Sequence, residues 1–409
     1  MSQRPESPEG EPASPRASLL TIAREWTRIG CIGFGGPPAH ISLLRALCVD
    51  RRGWLSAEEF EDGVATTGLL PGPASTQLAI YCAWRLAGPA GAIVGGFCFI
   101  VPGLIIILSL STLFLAAHPP LWVRGAAAGA GAAVPAVALQ AALSLAPASL
   151  KRATGGTGGA KPGPGDWPRR RWLAYLVVGG VLGALAGPFL VLGLVACGVI
   201  ELLVRTRPDR QPRSPGHAIL APLALVAPVA SAGGLLAVAW VAFKVGALSY
   251  GGGFVIIPLM QHDAVHTYHW MTGAQFLSAV ALGQVTPGPV VQTVAVVGFA
   301  AAGVGGGLLA SAVAFAPSFV FVLAGAPRFG FLRRNAAVQA FLTGAGPAAI
   351  GAIAGSTIPL GLDLNHLWQL AVLALAAIWL LAIRRGVVAA ILGAAGLGVV
   401  VALAGAPIR

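Results

Sequence analysis

Long apolar runs separated by short polar segments dominate the chain. Three of them, at residues 90–117, 125–150 and 386–404, approach or exceed the ~20 residues that a transmembrane helix needs. Further apolar runs occur at residues 172–204, 235–253, 272–297, 303–325, 336–358 and 367–383. The pattern predicts an all-α polytopic membrane protein with roughly ten to twelve transmembrane helices.

Some helices are predicted to be incomplete crossings. Residues 19–36 are apolar but carry Arg24, Glu25 and Arg28, so we expect a tilted or half-length helix inside the bundle. A further helix should begin at Ser56, where Ser56 and Glu59 fit a capping box. Such a helix cannot pass undisturbed through Pro71 and Pro73, because proline lacks an amide proton and clashes with the preceding turn.

This broken helix occurs twice. The stretch Leu69-Leu70-Pro71-Gly72-Pro73 recurs 216 residues later as Val285-Thr286-Pro287-Gly288-Pro289, and a second capping box fits Thr272 and Gln275. The same offset, without a gap, pairs several other landmarks: Phe34-Gly35-Gly36 with Tyr250-Gly251-Gly252, Trp54 with Trp270, Phe60 with Phe276, and Arg28 with Lys244. The register indicates an internal duplication.

The domain organisation follows from this duplication. We predict a disordered, cytoplasmic tail at residues 1–17, a first repeat at 18–150, basic loops and connecting helices at 151–234, and a second repeat at 235–409. The loop at 328–334 is basic, whereas its counterpart at 112–118 has no Lys or Arg. The positive-inside rule therefore predicts two inverted-topology repeats, as in many secondary transporters. Duplication without transport is the alternative.

Composition and charge support this class. The chain is 56% hydrophobic and 10% charged, against about 25% charged residues in soluble domains. The net charge is +12, and the basic residues lie mostly between apolar runs. This distribution fits a membrane protein and gives no reason to expect nucleic acid as a partner. The five cysteines are scattered and are interpreted as core residues. No cofactor motif, P-loop or nucleophile elbow is recognisable, so we expect neither ATP-driven transport nor an enzyme.

A Pro-Gly-Pro break inside the protein leaves a free helix N-terminus, whose unpaired amides and dipole favour an anion. Two N-termini provide roughly +1 charge, so a divalent oxyanion needs further cations. Arg28 and Lys244, at equivalent positions in apolar surroundings, are the candidates. The alternatives are a structural proline kink and lysine or arginine side chains that reach the interface.

The predicted substrate-binding residues are Arg28, Phe34, Gly35, Gly36, Pro71, Gly72, Pro73, Ser75, Thr76, Gln77, Lys244, Gly251, Gly252, Pro287, Gly288, Pro289, Gln292 and Thr293. The carboxylates Glu25, Glu61 and Asp62 are candidates for carrying a proton, with solvated or paired carboxylates as the alternative. His40 has no counterpart of its type and is a weaker candidate. His262, His266 and His269 with Asp263 leave a metal site open as an alternative to an interfacial polar turn.

The motifs Phe34-Gly35-Gly36-Pro37, Pro71-Gly72-Pro73, Tyr250-Gly251-Gly252-Gly253-Phe254 and Pro287-Gly288-Pro289 resemble the signature of the chromate ion transporter (CHR) family, in its long two-domain form. The resemblance implies export of chromate from the bacterial cytoplasm. We therefore expect a multi-pass inner-membrane protein that exports a tetrahedral divalent oxyanion, with chromate first and sulfate or another anion as the alternative. A lipid-modifying membrane enzyme is a further alternative. The expected partners are the anion and membrane lipid, and a homodimer is left open.

Overall fold

The computed structural model describes residues 17–68, 70–116, 118–154, 167–185, 189–205, 234–249, 256–325 and 335–407, and these ranges contain helices and no strand. The first half comprises α1 (Leu19–Ile32), α2 (Pro37–Arg45), α3 (Ala57–Thr67), α4 (Ala74–Phe114), α5 (Leu121–Thr154), α6 (Trp167–Leu185) and α7 (Leu190–Arg205). The second half comprises α8 (Leu235–Leu248), α9 (Ile256–Gln261), α10 (Gly273–Val285), α11 (Thr293–Gly325), α12 (Ala336–Leu362), α13 (Leu367–Ala377) and α14 (Val387–Leu403).

Within the described ranges, four helical segments are long and apolar enough to cross a membrane: Ala74–Phe114, Leu121–Thr154, Val290–Gly325 and Ala336–Leu362. Shorter apolar helices lie around them. The predicted all-α polytopic membrane class is confirmed. The half-length first helix is also as expected, because α1 has 14 residues and so spans about 21 Å, less than the ~30 Å of a bilayer core.

Two of the long helices, α4 and α11, are each folded back on themselves. Ala87 and Gly88 leave the helical conformation in α4, and Gly88 has φ 60° and ψ −151°. Gly303 in α11 has almost the same values, φ 62° and ψ −155°. Past each bend the chain packs against the arm before it, since a Cβ on Gly95 would collide with Ala83. The bends divide α4 into arms 74–86 and 89–114, and α11 into arms 293–301 and 304–325.

The helix before each Pro-Gly-Pro motif and the arm after it form a re-entrant hairpin. In the first repeat, Arg85 of α4 forms an ion pair with Glu59 of α3. Nearer the turn, a Cβ on Gly63 would lie 2.6 Å from the Tyr81 ring. Both residue pairs are symmetric in sequence about Gly72, so α3 and the first arm run antiparallel and Pro-Gly-Pro forms the tip.

The second repeat forms the same hairpin from α10 and the first arm of α11. A Cβ on Gly283 would collide with the Thr293 hydroxyl, which places the two helices side by side next to their tip. Both predicted capping boxes are confirmed: Ser56 with Glu59 opens α3, and Thr272 with Gln275 opens α10.

The second arms of α4 and α11 show that the repeats are inverted. Gly96 of α4 packs against Phe319 of α11, and Leu108 packs against Gly307. Residue numbers therefore rise along one arm as they fall along the other, and equivalent helices run antiparallel. The loop at 328–334, which carried the charge argument, lies outside the described residues.

Small residues let the outer helices approach closely. Gly125 and Gly129 of α5 pack against the backbone of α14, and Gly351 and Gly355 of α12 pack against that of α6. Close backbone contact of this kind is common between membrane helices. Thus α5 of the first half packs on α14 of the second half, and α12 of the second half packs on α6 of the first half. The domain boundaries at 150 and 234 stay predictions.

Candidate functional site at the two Pro-Gly-Pro tips

The first tip is the turn Pro71-Gly72-Pro73, where Gly72 has φ 121°. Pro73 is the N-cap of α4, and no side chain caps this helix. The amides of Thr76 and Gln77 donate to the Pro73 carbonyl at 2.9 and 3.0 Å. The helix therefore begins directly after the turn, as the sequence predicted, with its N-terminus free of side-chain caps.

The second tip has the same backbone. Gly288 has φ 101°, and Pro289 caps a short 3₁₀ turn, Val290–Gln292, which leads into α11. The Gln292 amide donates to the Pro289 carbonyl at 2.9 Å. No side chain caps this N-terminus either.

Each tip is bound to the opposite repeat by a backbone hydrogen bond. The Gly72 amide donates to the Ser249 carbonyl at the end of α8 (2.8 Å), and the Gly288 amide donates to the Gly33 carbonyl at the end of α1 (2.9 Å). These bonds are symmetry equivalents, because both donors and both acceptors differ by 216 residues. Each tip therefore lies at the interface between the repeats.

The tips also lie against the long arms of α4 and α11. A Cβ on Gly103, near the middle of the second arm of α4, would collide with the Pro287 carbonyl and lie 2.5 Å from Gln292 Oε1. In the other half, a Cβ on Gly72 would lie 3.3 Å from Ser318 Oγ of α11. Since Gly103 is central in its arm, the tips lie deep inside the protein.

Buried polar atoms without partners gather at this interface. Thr76 Oγ1, Ser249 Oγ and Ser318 Oγ are fully buried, and none has a hydrogen-bond partner within the described part of the chain. The same holds for the side-chain oxygens of Gln77 and Gln292. An unsatisfied buried polar group costs about 1–3 kcal/mol, so these atoms are placed where a ligand or water would hydrogen-bond to them.

The remaining polar atoms at the tips are satisfied locally. Gln77 Nε2 donates to the Pro71 carbonyl (2.7 Å), and Gln292 Nε2 donates to the Ile100 carbonyl (2.6 Å). Thr293 Oγ1 donates to the Val290 carbonyl at 2.9 Å. The bonds from Nε2 hold both glutamine side chains in place, while their side-chain oxygens have no hydrogen-bond partner among the described residues.

Sequence reasoning underrated His40 and missed Ser318. His40 is fully buried, with Nε2 2.9 Å from the Gly33 carbonyl and Nδ1 3.2 Å from Ser75 Oγ. It therefore connects the first turn of α4 to the carbonyl that accepts from Gly288. A comparison of the repeats does not select His40 or Ser318, because their counterparts in the other repeat are Ile256 and Pro102.

The predicted glycine motif after α1 lies beside the second tip. Gly36, with φ 72°, is the N-cap of α2, and a Cβ there would lie 3.5 Å from Val290. Gly35 also has a positive φ, 97°, while Phe34 is 44% exposed. Gly251 and Gly252 lie outside the described residues.

Among the described residues, neither predicted cation forms a hydrogen bond or an ion pair with a tip. Arg28 is exposed on α1, and no ion pair involves it within the described ranges. Lys244 is bound elsewhere: its Nζ lies 2.6 Å from Asp263 Oδ2 and 5.9 Å from the centre of the Trp240 ring. Their role as substrate ligands stays a prediction.

The candidate proton carriers and the histidine cluster have other contacts. Glu25 pairs with Arg52 at 2.7 Å, and Glu61 pairs with Arg45 at 3.0 Å. Among the histidines, the rings of His262 and His266 lie 5.9 Å apart. His269 Nδ1 lies 2.9 Å from the Val265 carbonyl, and Asp263 is occupied by Lys244. The described residues hold no group of three or more potential metal ligands.

Taken together, the tips offer two uncapped helix N-termini and three buried hydroxyl donors that have no partner in the described part of the chain. Each N-terminus is worth roughly +0.5 charge, and hydroxyl groups donate well to oxyanions. These groups have the chemistry that binding of a small oxyanion requires.

Comparison with known proteins agrees with this chemistry. A family model described as "Chromate transporter" matches residues 20–202 and 236–399. A chromate transport protein of Cupriavidus metallidurans is 31% identical over 356 residues, which cover 85% of this chain and 84% of that protein. A probable chromate transport protein of Synechococcus elongatus is 29% identical over 357 residues, covering 86% of this chain and 87% of the relative.

A chromate transport protein of Pseudomonas aeruginosa is 28% identical over 366 residues, covering 86% of this chain and 83% of the relative. No solved structure shows a significant match to the chain. The family match includes both repeats and both Pro-Gly-Pro tips, which confirms the resemblance inferred from the motifs. This multi-pass membrane protein belongs to the chromate transporter family.

Proposed function

We propose that the protein is a secondary transporter that exports chromate across the bacterial inner membrane, with its N-terminal tail in the cytoplasm. The observation that carries the proposal is that two uncapped helix N-termini lie at the interface of inverted repeats, together with buried hydroxyls that have no hydrogen-bond partner among the described residues. Transporters commonly bind their substrate at such broken helices near the midplane.

The chemistry of the tips suits a tetrahedral dianion. Chromate presents only acceptor oxygens, and the hydroxyls of Thr76, Ser249 and Ser318 are donors. The helix N-termini offset roughly one of its two negative charges. The remaining charge has to be offset by hydrogen bonds, by a proton, or by a cation that approaches during the cycle.

The reciprocal hydrogen bonds suggest how access alternates. Gly72 and Gly288 each bind the end of the opposite repeat's first helix. Rocking of one repeat against the other would change both bonds and open the interface to one side of the membrane at a time. A membrane potential or a proton gradient would then drive the anion outward.

Purified protein in liposomes tests the transport itself. We expect chromate flux that exceeds the flux of protein-free liposomes and that responds to an imposed membrane potential or pH gradient. Flux at the protein-free level, with insertion verified by protease accessibility, would overturn the proposed function. Expression in chromate-sensitive cells tests direction separately: export lowers cellular chromate, whereas unchanged or raised chromate contradicts it.

Sulfate is the second candidate substrate, because the described donors at the tips are neutral and would fit any tetrahedral dianion of similar size. Sulfate added to the same liposomes distinguishes the two. Strong competition at equal concentration would indicate a general oxyanion transporter, and weak competition would indicate selection of chromate.

A further inference from the structure

His40 joins the two tips through a pair of hydrogen bonds that depend on its protonation. Its Nε2 lies 2.9 Å from the Gly33 carbonyl, which also accepts from the Gly288 amide of the second tip. Its Nδ1 lies 3.2 Å from Ser75 Oγ, in the first turn of α4 at the first tip. His40 is fully buried and Ser75 is 2% exposed.

The contacts determine the state of the neutral ring. A carbonyl can only accept, so Nε2 must carry the hydrogen, and Nδ1 must then accept. Ser75 therefore donates its hydroxyl hydrogen to Nδ1. In this state the Ser75 hydroxyl cannot donate to an anion at the N-terminus of α4.

A proton from water added to Nδ1 reverses the bond. Nδ1–H then donates to Ser75 Oγ, and the hydroxyl hydrogen is released to another acceptor. The ring also gains one positive charge beside a helix N-terminus that offsets only part of a dianion's charge.

We infer that His40 is the proton site of the transport cycle, and that its protonation turns the Ser75 hydroxyl from the imidazole toward the oxyanion at the first tip. The inference rests on the proposed function and adds one proton that binds with each anion and leaves with it. The pair carries a net charge of −1, so an inside-negative membrane potential, and not an inward proton gradient, drives it outward. His40 acts through Ser75, so it is a positioning residue for the substrate.

Among the described neighbours of His40, Ser75 is the side chain that its protonation would reorient. The elements packed against it contribute the Gly33 carbonyl from the end of α1, Ser75 from the first arm of α4, and Phe99 from the second arm. The Phe99 ring meets the imidazole edge-on, with the ring centres 5.0 Å apart. Within the described part of the chain, no carboxylate, lysine or arginine contacts the imidazole. The second repeat has Ile256 and Val291 at the equivalent positions, so only the first tip carries the switch.

The test is the pH dependence of chromate transport by wild type, His40→Gln, Ser75→Ala and the control His118→Gln, in liposomes with equal pH on both sides. His118 is exposed in the connection between α4 and α5, so its replacement removes a titratable histidine away from the tips. Glutamine at position 40 can donate to Gly33 and accept from Ser75 but cannot titrate. Chromate also binds protons in this range, but its speciation cancels in the ratio of variant to wild type.

If binding requires one proton on His40, the wild-type KM for chromate rises by about tenfold per pH unit above the pKa of this histidine, while kcat changes less. We expect His40→Gln to lose that slope, Ser75→Ala to weaken it because the charge on His40 remains, and His118→Gln to keep it. A His40→Gln protein with the wild-type slope overturns the inference. If that variant does not insert, Ser75→Ala decides, because the wild-type slope in that protein also overturns the inference. A wild-type protein without chromate flux overturns the proposed function and this inference together, whereas an unchanged slope in an active protein overturns the inference alone.

Discussion

The two Pro-Gly-Pro tips have the same backbone and different side chains. Both turn at a glycine with positive φ, both begin an uncapped helix, and both donate one amide to the opposite repeat. The first tip continues with Ser75-Thr76-Gln77, whereas the second continues with Val291-Gln292-Thr293.

The difference separates two contributions to anion binding. Backbone amides and helix dipoles are present at both tips, so duplication preserved the part that any anion would use. Hydroxyl donors differ: Thr293 donates to its own turn, while Thr76 and Ser318, on the side of the first tip, have no partner among the described residues. We therefore expect the first tip to contribute more to substrate affinity, and the second to hold the repeats together.

The largest expected effect comes from the tip glycines. In Gly72→Ala, a side chain at φ 121° would collide with Gln77 Nε2, whereas in Gly288→Ala the nearest atom, Gln292 Oε1, is 3.4 Å away. A non-glycine residue in such a conformation costs about 1–3 kcal/mol before any collision. We expect Gly72→Ala to lower chromate flux by about a hundredfold or more and Gly288→Ala by about tenfold.

The control for backbone strain is Gly53→Ala, because Gly53 has φ 58° and no atom within 4 Å of an added Cβ. Flux per inserted protein should stay within about twofold of wild type for this control. If both tip variants lose equal activity, the steric difference between the tips has no functional consequence.

Local signals made much of this architecture predictable from sequence. The capping boxes and the Pro-Gly-Pro breaks depend on neighbouring residues, and the structure has them where the sequence placed them. The fold-back of α4 at Gly88 was not predicted. Gly88-Pro89 precedes the apolar run at residues 90–117 and marks a break, but a local break does not show that the next arm packs back against the arm before it. The bonds from Gly72 to Ser249 and from Gly288 to Gly33 could not be predicted from sequence either, because they join segments that only the tertiary fold brings together.

The candidate site was predictable in its symmetric part. A comparison of the repeats selects residues of the same type in both, and this is why Arg28 and Lys244 were predicted as substrate ligands. The same comparison passes over His40 and Ser318, whose counterparts are Ile256 and Pro102. Asymmetry is expected where two copies of a unit have taken different roles, so unmatched polar residues next to a repeated motif are a useful signal.

A smaller effect should distinguish an unpartnered hydroxyl from a satisfied one. Ser318 Oγ has no described partner near the first tip, whereas Ser111 Oγ donates to the Ile107 carbonyl of its own helix at 2.7 Å. A hydrogen bond to a charged group contributes about 1.5–3 kcal/mol. We expect Ser318→Ala to raise the KM for chromate by about tenfold or more, and Ser111→Ala to leave it within about twofold.

Thermal unfolding without substrate gives this comparison a second measurement. Removing an unsatisfied buried hydroxyl should leave the melting temperature of Ser318→Ala equal to or above that of wild type. A lowered melting temperature together with an unchanged KM would mean that Ser318 is structural and that the first tip does not bind the anion through it.

The smallest effect on affinity is expected at Arg28 and Lys244, the two cations at equivalent positions of the repeats. Arg28 is exposed on α1, so Arg28→Gln should change the KM for chromate by no more than about twofold. Lys244 is largely buried against Asp263, with side chains 15% and 12% exposed. Its neutral replacement leaves a largely buried carboxylate without its partner, which is strongly destabilising.

For Lys244→Gln we therefore expect a lower melting temperature and lower yield, with a KM close to wild type for the protein that inserts. The double variant Lys244→Gln with Asp263→Asn removes both charges and should restore much of the stability. A different outcome would support the sequence prediction that Arg28 and Lys244 bind the substrate. A neutral replacement of either cation would raise the KM for chromate more than for a monovalent anion, because a lost charge costs a dianion about twice as much at equal distance. That result, with an unchanged melting temperature, would mean that the cation reaches the anion in another conformation of the transport cycle.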